Sequence, residues 1–415
     1  MNISSVFARN QEKLDALYGG VDQKERYTHL ADAYRANFGG ECELFVSAPG
    51  RAEVVGNHTD HNRGRVLAAS VNLDSVAAVA DNHSNRVCLF SEGYDQPFIV
   101  NLNDLEVFED EKNTTSALIR GVAARLKQLG YKIGGFNAQV TSTVFKGSGL
   151  SSSAAFEVML VAAFDALFNG WVIDAKENAR ISQYAENVYF GKPCGLLDQT
   201  ASAVGGLVAL DFAPEIASVE AMTYDFKSKG YAVCVVSAGG DHGDLTDAYA
   251  SITIEMHQVA QAMGVDVLAK VAPDQLMEAL PKLKNQVPDR AILRAFHFVD
   301  ETRRVSDAID ALRRDDLNAF FNAVIESGES SWKLLQNLHA EGSENQEMPL
   351  ACEISRRMLR GRGAWRIHGG GFAGTILAFV PLDMLDRYAS VMDGVFGKGA
   401  TTVLSIRPQG VVCIR

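Results

Sequence analysis

The chain has 415 residues, enough for two domains or one large one and too many for a small disulfide-held scaffold. Its 47% hydrophobic and 22% charged residues are those of a globular protein, and 36 glycines against 10 prolines exclude a collagen-like or proline-rich chain. With 39 basic and 51 acidic residues the net charge is −12, which disfavours nucleic acid and anionic membranes as partners; an anionic ligand must be held by local dipoles and a few cations.

Six scattered cysteines, with no CxxC pair, argue against a zinc site and fit reduced thiols. The first twenty residues lack an apolar signal core, and the most apolar run, 158–168, is interrupted by Asp165. These features predict a cytoplasmic protein with no membrane partner.

In chain order, Tyr27, Leu30, Ala31, Tyr34 and Phe38 recur at helical spacing and predict an amphipathic helix over 24–38. Strands are expected at 44–48, 65–71, 75–80 and 86–90. The pattern turns helical over 116–129 and returns to strand at 137–143. Residues 154–168 are apolar on nearly every side, which marks a buried helix. A strand over 231–237 opens a second half rich in helical patterns, closed by strands at 375–380, 402–406 and 410–414. Strands and helices mix without strict alternation, so the expected class is α+β, in two domains, 1–215 and 216–415, with a cleft between them.

Four polar or glycine-rich segments carry chemistry. Over 146–154, KGSGLSSSA leads from strand into helix, so amide groups of Gly147, Ser148, Gly149, Leu150, Ser151, Ser152, Ser153 and Ala154 converge where an anion can sit. Over 368–374, HGGGFAG contains a literal GxGxxG but runs into a strand, which rules out the dinucleotide fold. Between Ala48 and Gly64, Arg51, Asn57, His58, Asp60 and His61 crowd together at a density that suits a hydroxylated ligand. The segment GKPCGLLDQTAS carries one carboxylate, Asp198, in a position that taken alone is ordinarily a helix N-cap.

All four occur together and in order. As a set they resemble the GHMP small-molecule kinases, and within them the galactokinases. The first segment is similar to GRxNLIGEHxDYxxGxVL, the second to GLSSSA, the third to TGGGFGG and the last to GIMDQF; Arg120-Gly121 stands where the family has Lys-Gly. The resemblance implies a two-domain GHMP kinase fold with the active site in the cleft, and an ATP- and Mg²⁺-dependent kinase that phosphorylates the anomeric hydroxyl of galactose. The implied partners are the sugar and Mg-ATP, in a monomer or weak homo-oligomer. Carried over by position, Asp198 and Arg51 are the catalytic pair, Ser153 and Glu186 the magnesium ligands, and His58, Asp60, Gly195 and Tyr249 the sugar contacts. Tyr249 keeps the family distance from His242.

The sequence departs from the signature where Asn57 replaces the family Glu and Glu53-Val54-Val55 replaces Asn-Leu-Ile. The resemblance places position 57 against the sugar's C6 hydroxyl. An amide there can donate to a C6 carboxylate, so galacturonate is an alternative substrate. A catalytically silent sugar and ATP sensor is the alternative of another class; the regulators of that kind lose a Ser-Ala step that Ser153-Ala154 retains. Glu157, inside the buried helix, is left without a role.

Overall fold

The computed structural model describes residues 3–144, 149–215, 217–239, 245–339, 344–372 and 374–415. Lys146, Gly147, Ser148 and His242 lie outside the described residues. Two sheets organise the chain. The first holds β1 (Leu44–Val55), β2 (Arg65–Asp81), β3 (Arg86–Ser91), β4 (Phe98–Asn101), β5 (Phe136–Ser142), β6 (Leu207–Asp211) and β7 (Ser218–Met222). The second is a four-stranded antiparallel sheet of β8 (Tyr231–Gly239), β9 (Ala364–His368), β10 (Gly374–Pro381) and β11 (Thr401–Leu404), in the order β11-β8-β10-β9.

The last strand, β12 (Val412–Ile414), returns to the first sheet and pairs antiparallel with β1, Phe45 facing Ile414. A division at 215/216 therefore does not follow sheet membership, since β7 and β12 both lie beyond it. The two sheets meet where Val71 of the long strand β2 bridges Ile406.

Five expected strands are corrected. The stretches 65–71 and 75–80 form one strand, because Asn72 and Asp74, which read as a break, are satisfied within the fold: Asn72 Oδ1 accepts from Ser405 N at 2.8 Å and Asp74 sits in a buried charge cluster. The strand expected to end at 48 runs on to Val55, its register shifting between Pro49 and Arg51 and again between Glu53 and Val55. Such bulges tolerate Pro49 and re-aim the side chains that follow. The closing strands are shorter than 402–406 and 410–414. The helix Ile3–Tyr18 was not foreseen, having a weak pattern broken at Asn10.

The helix expected over 154–168 spans Ser152–Phe164, with one wider turn to Asn169. By length and composition 152–169 is apolar enough to cross a membrane, yet 67% of it is buried inside the protein, packed with β1, β5 and the helix Thr115–Gln128 in the largest core. Its apolarity is that of a core helix wrapped on all sides.

Asp74 ties the ends of the chain to this core. Fully buried, it accepts from Tyr18 Oη and Arg26 Nη1, each at 2.6 Å, from Arg407 Nη1 at 3.1 Å, and from Ser47. Burial alone would raise its carboxyl, but Arg26 and Arg407 outweigh that and hold it below the ordinary aspartate value. Arg407, also fully buried, donates to the carbonyls of Gln409 and Gly410 and thereby positions the approach to β12.

Removing one partner of a buried pair strands the other charge, so Asp74→Ala is expected to cost about 3–5 kcal/mol. Asp383→Ala, which breaks the exposed Arg362 pair at 2.8 Å, should leave stability nearly unchanged. Thermal and denaturant unfolding compare the two; equal losses would contradict the role given to Asp74.

Candidate active site

The site lies where β1, the helix Ser152–Phe164 and the helix Leu197–Val204 converge. Gly50 lets β1 press against the segment before the Ser152 helix: a Cβ there would come within 2.8 Å of the Leu150 carbonyl. Arg51 N donates to that same carbonyl at 3.0 Å. Its guanidinium, 9% exposed, then reaches both ways, donating to the Gly149 carbonyl and through Nε to Asp198 Oδ1 at 2.7 Å. Ser151, held at φ +57°, donates its hydroxyl to the other Asp198 oxygen.

Asp198 is one third exposed, at 33%. Burial pushes its carboxyl up, but Arg51, the Ser151 hydroxyl and Lys192 together hold it below the usual aspartate value. It is a fixed anion with one open face. Leu150 and Ala154 are buried, whereas Ser151, Ser152 and Ser153 keep partial exposure at the helix N-terminus. Amides at such a terminus favour an anion.

Behind this pair stands a buried carboxylate group. Glu186, 2% exposed, lies on the wide turn Ala185–Phe190; its Oε1 is 3.3 Å from Ser153 Oγ and 3.3 Å from Lys192 Nζ. Gln199 Nε2 donates to Glu186 Oε2 at 2.7 Å and to Glu157 Oε2 at 3.1 Å, so one amide clamps two acids. Glu157 is fully buried with its other oxygen unpartnered, and burial together with the nearby Glu186 raises its carboxyl well above the glutamate range. Gln199 follows Asp198 directly and is the signal in the sequence that could have explained Glu157.

On the other side of Arg51 are the signature residues. Asp60 Oδ1 lies 3.1 Å from His61 Nδ1, and its carboxylate is so close to Gly195 that a Cβ there would fall 2.2 Å from Oδ2. A side chain at 195 would displace the Asp60 carboxylate. A cleft of about 790 Å³ opens beside Asp60, His61 and Gly195 and runs along the helix Ala175–Tyr184 past Arg180. His58, at φ +54°, donates through Nε2 to the Gly370 carbonyl at 2.8 Å. Burial, then the neighbouring His61 ring, lowers its pKa far below the ordinary histidine value, so it is neutral. Tyr249 Oη donates to the Gly371 carbonyl at 2.8 Å, with its ring against Gly370.

Asn57 lies within a buried hydrogen-bond network. Expected at the C6 hydroxyl of a sugar, it is 0% exposed, and its side-chain amide is taken up by the protein. Nδ2 donates to Glu53 Oε1 at 2.9 Å and to the Gly369 carbonyl at 2.8 Å; Oδ1 accepts from Asn337 Nδ2 at 2.8 Å and from Ser331 Oγ at 3.2 Å.

Its backbone is pinned as well. Glu301 Oε1 accepts from the Gly56 and Asn57 amides at 2.8 and 3.2 Å, and His297 Nε2 donates to the Asn57 carbonyl at 2.8 Å. Burial would raise Glu301, yet His297, Arg304, Arg366 and the Ser327 hydroxyl outweigh it and hold the carboxyl below its usual range. Sequence reading passed over His297, Glu301, Ser331, Asn337 and Arg366. The first two sit one turn apart within the apolar face of the helix Asp289–Arg313, and Arg366 stands just before the glycine loop.

Two family models match the chain: GHMP kinases N terminal domain over residues 117–206, and galactokinase galactose-binding signature over residues 32–81. A galactokinase of Streptomyces coelicolor is 31% identical over 375 residues, covering 88% of this chain and 92% of the relative. One from Glaesserella parasuis is 28% identical over 366 residues, covering 85% and 89%. Among solved structures, Lactococcus lactis galactokinase complexed with galactose superposes with a TM-score of 0.82 at 22% identity, covering 93% of this chain and 99% of that one. Methanococcus jannaschii mevalonate kinase gives 0.63 at 14% identity, over 88% and 99%. The structural likenesses fix the GHMP kinase fold, mixed α+β, and with the 31% identity across nearly the whole length the chain belongs to the galactokinase family of ATP-dependent GHMP kinases.

Proposed function

We infer that this protein transfers the γ-phosphoryl group of ATP to the anomeric hydroxyl of galactose, releasing the sugar 1-phosphate and ADP. The observation that carries the reading is the Arg51–Asp198 pair at 2.7 Å, tied to the glycine- and serine-rich helix start through the Gly149 carbonyl and the Ser151 hydroxyl. The C1 oxygen attacks the γ-phosphorus, the bond to the bridging oxygen breaks, and that oxygen leaves with ADP. Phosphoryl transfer asks the protein mainly for alignment and for cations near the developing charge.

Asp198 suits alignment better than early proton removal. A carboxylate held below its usual value is a weak base, so it accepts a hydrogen bond from the C1 hydroxyl and takes the proton as the new P–O bond acidifies that hydroxyl. Arg51 is spread between Asp198 and the Gly149 carbonyl, which fixes it at the boundary of donor and acceptor. Asp60, the Gly195 backbone and Tyr249 form the sugar wall. The Asn57 amide hydrogens are occupied, so no donor remains there for a C6 carboxylate, and galactose is favoured over galacturonate.

Ser153 Oγ and Glu186 Oε1, 3.3 Å apart, are hard oxygen donors that fit magnesium, which takes one or two protein oxygens and otherwise nucleotide phosphates and water. Bound there, magnesium offsets phosphate charge that a chain of net charge −12 otherwise repels. Glu157, favoured in its protonated form, shares the Gln199 amide with Glu186. All six cysteines are free, which suits a reducing cytoplasm.

Replacing the carboxylate by its isosteric amide tests the mechanism. Asp198→Asn is expected to lower kcat by roughly 10²–10⁴-fold, the ordinary scale for a positioned proton acceptor, with Mg-ATP affinity by calorimetry unchanged. An unaltered kcat would remove Asp198 from the role.

Glu157 gives a pH test in the absence of nucleotide and metal. An acid whose value is raised in the folded state costs stability once pH exceeds its unfolded value of about 4.3, and the cost grows toward the folded value. Glu157→Gln removes that cost while still accepting from Gln199, so its thermal midpoint should exceed that of the unaltered protein by more at pH 8 than at pH 5. A gap that narrows as pH rises would show an ionised Glu157.

A further inference from the structure

The galactokinase signature, GRxNLIGEH, has an amide four residues before a carboxylate. This chain has Glu53 and then Asn57, the same two functions in the opposite order. In the structure the two side chains are bonded to each other, Asn57 Nδ2 to Glu53 Oε1 at 2.9 Å, both buried. We propose that Glu53 and Asn57 are an exchanged amide–carboxylate pair, and that Asn57 is a positioning residue which fixes the glycine loop 369–371 rather than a group that touches the sugar. This rests on the galactose-kinase reading for its kinetic arm.

The partners on either side support the exchange. At position 53 the carboxylate meets Arg366 Nη2 at 2.9 Å, so the charge that the signature carries at 57 has its counterion on β9. At position 57 the oxygen receives hydrogens from Asn337 and Ser331, and the nitrogen spends both of its own on Glu53 and the Gly369 carbonyl. An Asn amide has two hydrogens to donate, and none is left for a ligand.

The glycine loop is the element this pair acts on. Each of its carbonyls is held: Gly369 by Asn57, Gly370 by His58 and Asn337, Gly371 by Tyr249. Three of these four side chains come from the sugar side as the resemblance assigns it. Gly369 also lies beside Gly149, a Cβ there being 3.6 Å from the Gly149 Cα. Displacing the Asn57 strut therefore shifts the backbone that His58 and Tyr249 brace against, and the effect should reach sugar binding without contact to C6.

The test is a swap cycle. Asn57→Glu places two buried carboxylates together, Glu53→Asn leaves Arg366 without its anion, and the double variant restores one amide and one carboxylate in signature order. Each single variant is expected to raise the galactose KM by about tenfold or more, with kcat and the ATP KM moved far less, and the double to return within about threefold of the starting value. Asn57→Glu alone matching or improving on the parent, or a double as poor as its worse single, would overturn the pairing.

If a single variant does not fold, Asn57→Ala is assayed with galactose and with L-arabinose, which is galactose without its C6 carbon. Equal rises in KM support the strut; a rise confined to galactose makes Asn57 a C6 contact and defeats the proposal. A parent protein inert toward galactose sinks the functional reading alone, because thermal midpoints over the same variants still read the pair: non-additive singles support it, additive ones refute it.

Discussion

The buried ion pair between Glu53 and Arg366 is the interaction on which the rest of the site depends. Glu53 lies on β1 of the first sheet and Arg366 on β9 of the second, with side-chain exposures of 8% and 0%. Burying two charges is expensive, and a well-packed apolar pair of the same size would often be as stable. What the pair supplies is register. Arg366 also donates to the Val54 carbonyl at 2.9 Å, which pins the backbone of β1 to β9 beside its second bulge. That pinning brings the signature loop and the glycine loop into one network, with Glu301 beneath the first and Asn337 beneath the second.

Two acids, Asp198 bonded at the start of the helix Ser152–Phe164 and Glu157 within that helix, show how placement divides chemistry between like groups. Asp198 and Glu157 are both desolvated, and desolvation alone raises both. Asp198 faces Arg51, Lys192 and a hydroxyl donor, and its anion wins. Glu157 faces another carboxylate across a shared amide, and its neutral form wins. Environments that push two carboxyls in opposite directions are a recurrent way of assigning charged and uncharged roles within one site. Here the charged acid keeps one open face and the uncharged one lies wholly within the protein.

How much the sequence could reveal follows from the range of each interaction. The helices at 24–38 and 152–164 were legible because helical periodicity and unbroken apolarity are local signals. Arg51, Asp198, Ser153 and Glu186 were locatable through the motif resemblance, and the structure brings them together. The surroundings of Asn57 were not legible because they are non-local: its side chain and backbone are bound to residues 301, 297, 331 and 337, each more than two hundred positions away. The single strand β2 was split in two for a similar reason, since Asp74 reads as a polar interruption until Arg407 is seen beside it. Neither partner announces itself by spacing or composition.

Some of the chain's strained backbone lies at the same place. Among the described residues, non-glycine left-handed backbone includes His58 at φ +54°, Ser151 at φ +57° and Phe372 at φ +62°, one in each of the three loops that meet at the site. Conformations of that kind cost of order 1–3 kcal/mol each and persist only where the surroundings over-determine them. The surroundings here do so: His58 is tied to Gly370, Ser151 to Asp198, and Phe372 donates its amide to the Asn337 carbonyl. The glycines between them serve close approach rather than freedom, Gly50 against Leu150 and Gly195 against Asp60. A loop set braced in this way is built before either substrate arrives, so little binding energy goes into ordering it and more remains for holding the phosphoryl group in line with the sugar.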